Sequence, residues 1–157
     1  MAVKPLKIKA MEQDAERIYP HYLNCGRVYI DLPYVKVACD LERGILFSYW
    51  SGFASYEEFV NIGERIVEII SKDQITRILF DTRDMEVIDD YSQAFISGDY
   101  TRDMIRLGIR YAATILPEDP IARESLMHIE HSVPVGESHN NYFDTVEESL
   151  AWLGSRC

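Results

Sequence analysis

The residues most able to do chemistry crowd into one stretch. Leu79 to Gln93 reads LFDTRDMEVIDDYSQ, an apolar run that stops at Asp81 and continues through Asp84, Glu86, Asp89 and Asp90 to Tyr91 and Ser92. Three chemistries fit that composition. Asp81 and Asp84, three apart, could supply the one or two carboxylates that a Mg²⁺ site takes beside phosphate and water, the basis of a metal-dependent phosphoester hydrolase. Ser92 could accept a phosphoryl group near a helix N-terminus, where backbone amides and the helix dipole favour negative charge. Asp89 or Asp90 could do something plainer and cap a helix, with acids in the first turn favoured by the same dipole. The DTRD segment lacks the Asp-x-Asp spacing of phosphotransfer hydrolases, and Arg83 stands inside it. The expectation is therefore that Arg83 pairs with a neighbouring carboxylate and that Asp81 accepts amide hydrogen bonds in a tight turn after a strand.

Other reactive residues form weaker patterns. His128 and His131 in HIEH share a helix face, but the spacing is neither H-E-x-x-H nor its inverse, and solvated surface histidines are expected. The loop VPVGESHNN has one glycine, too few for a phosphate cradle, and no Ser, Cys or Thr sits in a nucleophile elbow. Cys25, Cys39 and Cys157 are odd in number and widely spaced, with no C-x-x-C pair, which argues against a disulfide framework and a zinc knuckle. Ten Tyr, six Phe and two Trp are generous for this length. Trp50, Phe53, Tyr56 and Phe59 cluster at the start of a predicted helix and could line an apolar pocket, making the chain a carrier or sensor of a small lipid-like ligand. Core packing and a dimer seam explain them equally well. No catalytic residue, metal ligand or cofactor is assigned.

The elements that must position these residues follow from periodicity. Residues 1–24 lack it and read as an extension, weakly ordered or docked; a single domain is expected from residue 25 to 157. RVYIDL and VKVACDLERGILFSYW give a strand and a hairpin turned at Gly44. SYEEFVNIGERIVEIIS carries Phe59, Ile62, Ile66, Val67, Ile69 and Ile70 at helical spacing behind a capping box of Ser55 and Glu58. TRILFD is a buried strand. A second helix is predicted from about Ser92 to Leu107, with Phe95, Ile96, Tyr100, Met104 and Leu107 on one side and Gly108 closing it. IRYAATIL is a strand, and Asp119 with Pro120 opens the next helix. NNYF is a last short strand before a helix begun by a second box, Thr145 and Glu148. Strands alternating with helices after an opening β-hairpin predict an α/β fold with a mixed sheet of about five strands and four helices.

Composition excludes partners more firmly than it names them. The chain has 157 residues, enough for one core without disulfides or metals, and 47% of them are hydrophobic. Sixteen Lys and Arg against twenty-six Asp and Glu leave a net charge of −10, which repels nucleic-acid backbones and anionic membranes. No apolar stretch is long enough to span a bilayer, and the first residues do not make a signal peptide, so a cytoplasmic location is expected.

The order and wording of these segments resemble a known group. The SYEEF helix, ILFDTRDMEVID, a second helix ending in glycine, YAATILPED and the terminal YFDTVEESLAWL look like the small STAS-like bacterial proteins. Those share the fold of anti-sigma-factor antagonists and of SEC14-type lipid-binding domains. The resemblance covers roughly residues 27–154 and rests on turns, caps and core positions. It implies a non-enzymatic regulatory or protein-interaction domain, with a homodimer expected and a regulatory protein as partner. Antagonist-type members carry a phosphorylatable serine in the loop after the equivalent strand. Here the alignment sets Asp89 at that motif's aspartate, Asp90 at the serine, Tyr91 at the next serine and Ser92 at the glycine. The acceptor hydroxyl is replaced by a permanent carboxylate, which leaves Asp81, Asp84, Asp89, Asp90 and Ser92 as the candidate partner- or ligand-binding residues.

Overall fold

A computed structural model describes residues 27–132 and 139–154. The expected N-terminal extension, Cys25, Cys157 and most of the VPVGESHNN loop lie outside the described residues.

Among the described residues six strands rather than about five make one sheet: β1 (Arg27–Leu32), β2 (Val35–Asp40), β3 (Ile45–Gly52), β4 (Arg77–Met85), β5 (Tyr111–Ile115) and β6 (His139–Phe143). Their order in space is their order in sequence. The first three pair antiparallel, and β3 to β6 run parallel. The sixth strand counts in full because it keeps register with β5 from Tyr111 opposite His139 to Ile115 opposite Phe143.

Helix α1 (Tyr56–Asp73) crosses from β3 to β4. A rod of three segments returns to β5: α2 (Asp90–Phe95), a π-helical turn (Ile96–Tyr100) and α3 (Thr101–Arg106). Helices α4 (Pro120–Ser132) and α5 (Val146–Gly154) flank β6. Three successive crossovers between adjacent parallel strands lay α1, the rod and α4 on one face, where Ile66, Met104 and Ile129 pack over Val37, Leu46 and Ile78 of the sheet. Helix α5 packs on the other, its Val146 and Leu153 against Phe47, Leu79 and Ile115.

Local chemistry fixes these boundaries. Ser55 Oγ accepts the Glu58 amide and Glu58 Oε1 accepts the Ser55 amide, so both orphan donors at the start of α1 are satisfied. Asp119 Oδ2 accepts the Ala122 amide at 2.9 Å and caps α4 ahead of Pro120. Thr145 Oγ1 accepts the Glu148 amide at 3.2 Å at the start of α5. Gly108, at φ 103°, ends the rod in the left-handed region that only glycine enters freely.

The rod departs from the regular helix its spacing predicts. Its π turn widens one loop of backbone, and the Thr101 hydroxyl donates to the Ile96 carbonyl five residues back. The extra residue shifts the buried stripe, so Ser92, Tyr100 and Met104 are buried while Phe95, Ile96 and Leu107 are half-buried. Opposite the rod, α1 has Gly63. A Cβ there would lie 3.0 Å from Phe95 and 3.1 Å from Tyr100, so glycine lets both rings approach the helix.

Candidate functional site

The acidic stretch begins inside the sheet, not after it. Strand β4 runs through DTRD to Met85, where the end of the apolar run predicted a turn at Asp81. The pairing explains the difference: Tyr49 faces Asp81 and Ser51 faces Asp84, so β4 spends three residues where β3 spends two. The bulge reverses the inside–outside alternation of β4. Phe80 and Thr82 face the three-helix side, and after the bulge Met85 does so while Asp84 joins Asp81 on the other. Asp81 is 0% exposed, and Arg83 grips it with Nε to Oδ1 and Nη2 to Oδ2, both at 3.1 Å. Burial pushes Asp81 above the usual carboxylate range, against the opposing pull of Arg83. The Tyr49 hydroxyl donates to Asp84 Oδ2, and burial followed by that bond pushes the phenol up. Both carboxylates are thus committed to internal partners. Among the described residues no three His, Cys, Asp or Glu side chains are grouped to hold a metal ion.

The loop from Glu86 to Asp89 is pinned on three sides. The Glu86 amide donates to the Gly52 carbonyl at 2.9 Å, tying the loop to the end of β3. Ile88 is buried, its amide donates to Ser125 Oγ of α4 at 3.1 Å, and its carbonyl accepts Gln93 Nε2 of α2 at 2.7 Å. His128 Nδ1 in turn contacts Gln93 Oε1 at 2.6 Å, so this histidine braces α4 against the rod. The side chain of His131 lies outside the described ones.

Of the two adjacent aspartates, Asp89 is the N-cap. It accepts the Ser92 amide at 2.8 Å through Oδ1 and the Ser92 hydroxyl at 3.1 Å through Oδ2. Ser92 is 0% exposed and its hydroxyl is spent on that bond, so this conformation offers no group for modification there. Asp90, at the position aligned with the switch serine, is exposed. Of the five candidate residues, only Asp90 presents its carboxylate freely outward; Asp84 and Asp89 are half-buried, and Asp81 and Ser92 are inside.

The four aromatics of the expected pocket divide between inside and outside. Trp50 and Phe59 stack at 4.9 Å between ring centroids and line a partly open cavity with Phe80, Met85 and Tyr100. Phe53 and Tyr56 point out, and Tyr56 meets Tyr91 edge-on at 6.2 Å. With Val87 and Ile121 they form the larger share of the exposed big apolar side chains. Phe53, Tyr56, Val87, Tyr91 and Ile121 all follow the carboxyl ends of β3, β4 or β5, and Tyr91 is 78% exposed. Exposed acids border them: Glu57, Glu86, Asp90, Glu118 and Asp119. Val87 and Ile121 carried no signal in the sequence because a lone apolar residue in a polar loop or a helix's first turn is no pattern until the strands bring three connections to one edge.

No protein-family model matches the sequence, and no curated protein matches it. The fold is similar to the solved structure of the anti-sigma factor antagonist SpoIIAA in its unphosphorylated form. That likeness has a TM-score of 0.50 at 15% identity and covers 83% of this chain and 97% of the other. No described helix is long and apolar enough to cross a membrane. The mixed sheet, its four helical elements and this likeness identify the architecture as the STAS fold.

Proposed function

We propose that the chain is a non-catalytic regulatory domain of the cytoplasm that works by binding another protein at the carboxyl end of its parallel strands. One observation carries the reading: apolar and aromatic side chains from three successive strand-to-helix connections and the first turns of their helices stand exposed at that edge, on backbone that is firmly held. In open α/β sheets ligands meet the carboxyl ends of the strands. Exposed apolar groups gathered together and rimmed by polar ones mark interaction surfaces. The acids around Tyr91 specify a partner with an apolar anchor ringed by Lys or Arg, since charge complementarity steers association and rejects other partners. SpoIIAA, an antagonist of an anti-sigma factor, offers a fold-level precedent for regulation of this kind. The hydrolase reading has less support, because Asp81 and Asp84 are held by Arg83 and Tyr49.

The test compares the wild-type chain with a Tyr56→Ala, Val87→Ser, Tyr91→Ala variant as baits, with quantitative mass spectrometry of what each retains. A basic protein held by the wild type, lost by the variant and recovered in reciprocal capture is the expected result. Sedimentation of the purified chain addresses the homodimer, which would use the same patch if the variant alone were monomeric. Equal retention by both baits, or metal-dependent turnover in a phosphoester screen that Asp84→Asn abolishes, would overturn the proposal.

A further inference from the structure

The second feature is a partly open cavity that lies beneath the rod, reaches the exposed Asn140 of β6 and does not depend on the patch. Its volume is about 130 Å³. Protein interiors pack as densely as organic crystals, and voids much larger than a water molecule are few. Empty apolar space also destabilises in proportion to its volume. Ala112 sets a small residue in the β5 floor and leaves room there, while the gap that Gly63 leaves on α1 is taken up by the Phe95 and Tyr100 rings of the wall. The roof is the π turn, a rare geometry found mostly at functional sites.

The described lining is mostly apolar and carries no charged side chain, and its polar members are Asn140 and Tyr142 of β6, three threonines and Tyr100. Thr82 and Thr101 spend their hydroxyls on the carbonyls of Ile115 and Ile96. Tyr100 and Thr114 also line the space, at 8% and 9% exposed, and neither hydroxyl has a hydrogen-bond partner among the described residues. Phe80 relates the two: its ring lies 6.3 Å from that of Tyr100, and it stands opposite Thr114 across the β4–β5 pair. Buried hydroxyls are nearly always bonded, because leaving one unmade forfeits its hydration for nothing. Burial pushes the Tyr100 phenol up, so it remains a neutral donor.

From the cavity and its two unpartnered hydroxyls we infer that this is a binding site for an uncharged, single-ring molecule carrying one oxygen, of the phenol class. The ring occupies the apolar space, and its oxygen bonds to Tyr100 and Thr114. Size agrees: apolar cavities of about 150 Å³ take up benzene. Charge agrees as well, since among the described residues no ionised lining group would offset an ionised ligand.

Phenol, toluene and benzoate are the probes, titrated into the full chain by calorimetry and by melting temperature. Phenol is expected to bind saturably and raise the melting temperature by mass action, toluene to bind more weakly and benzoate not at all. Tyr100→Phe with Thr114→Val should weaken phenol about tenfold and leave toluene unchanged, as two hydrogen bonds are lost from one ligand only. Ala112→Ile, which fills the space, should abolish both while the chain stays folded. Phenol binding no tighter than benzoate, phenol binding unaffected by the hydroxyl deletions, or ordered waters on both hydroxyls that phenol does not displace would each overturn the inference.

Discussion

The two ends of the parallel strands are finished in opposite ways. At the amino end polar groups turn inward and are used up. Arg77, 7% exposed, donates Nη1 to the Leu153 carbonyl at 2.8 Å and Nη2 to the Arg43 carbonyl, so one guanidinium closes α5 and the β2–β3 turn together. A cation at a helix C-terminus also complements the dipole. The Gly44 carbonyl accepts both the Thr76 and Arg77 amides, and Leu41 is the large apolar side chain exposed in that turn. At the carboxyl end the backbone is held as well, yet Phe53, Tyr56, Val87, Tyr91 and Ile121 face solvent. Rigid backbone with exposed apolar side chains is a costly arrangement unless something covers it, and a closed polar seam is what a structural end looks like.

Substitutions at each end should separate stability from binding. Arg77→Met should cost about 3 kcal/mol in chemical denaturation, because two carbonyls lose a buried charged donor, and should leave partner capture by the surviving folded chain unchanged. Tyr91→Ala should do the reverse. Loss of an exposed aromatic anchor is expected to weaken partner binding by at least about tenfold, with stability within about 0.5 kcal/mol of wild type. Next comes Asp89→Ala, which removes an N-cap and should lower stability by about 1 kcal/mol. Asp90→Asn beside it should leave stability alone and mainly slow association with a basic partner, an effect that salt reduces.

The smallest effect is a pH dependence. Asp81 has a folded pKa raised by burial, so the folded state takes up its proton before the unfolded state does. Wild type should therefore gain stability relative to Asp81→Asn as pH falls from the raised value toward the ordinary carboxylate range near 4. Paired denaturation curves at neutral and mildly acidic pH measure the sign. The opposite sign would mean that the Arg83 pair outweighs burial.

Much of this was legible in the sequence where the cause is local. Ser55 with Glu58, Asp119 with Pro120 and Gly108 each act within one turn of backbone, and each does what its type and spacing predict. The candidate site was legible as a location but not as a surface. Whether Asp81 lies in a turn or in the sheet depends on β3, whose pairing draws DTRD into β4 and inserts the bulge that turns Asp84 toward Tyr49. Which of Asp89 and Asp90 caps the rod decides that Ser92 points inward. Trp50 and Phe53 are three apart, one at the end of a strand and one just beyond it, and only the packed helix settles which enters the core. The two unpartnered hydroxyls belong to different elements and meet no local rule at all.

Position-specific photocrosslinking in cells bears most directly on the difference between the ends. A benzophenone amino acid replaces Tyr91 in one chain and Leu41, exposed at the opposite end, in another. The account predicts a discrete adduct with a basic protein from position 91 and none from position 41. Adducts from position 41 alone, or the same products from both, would contradict it.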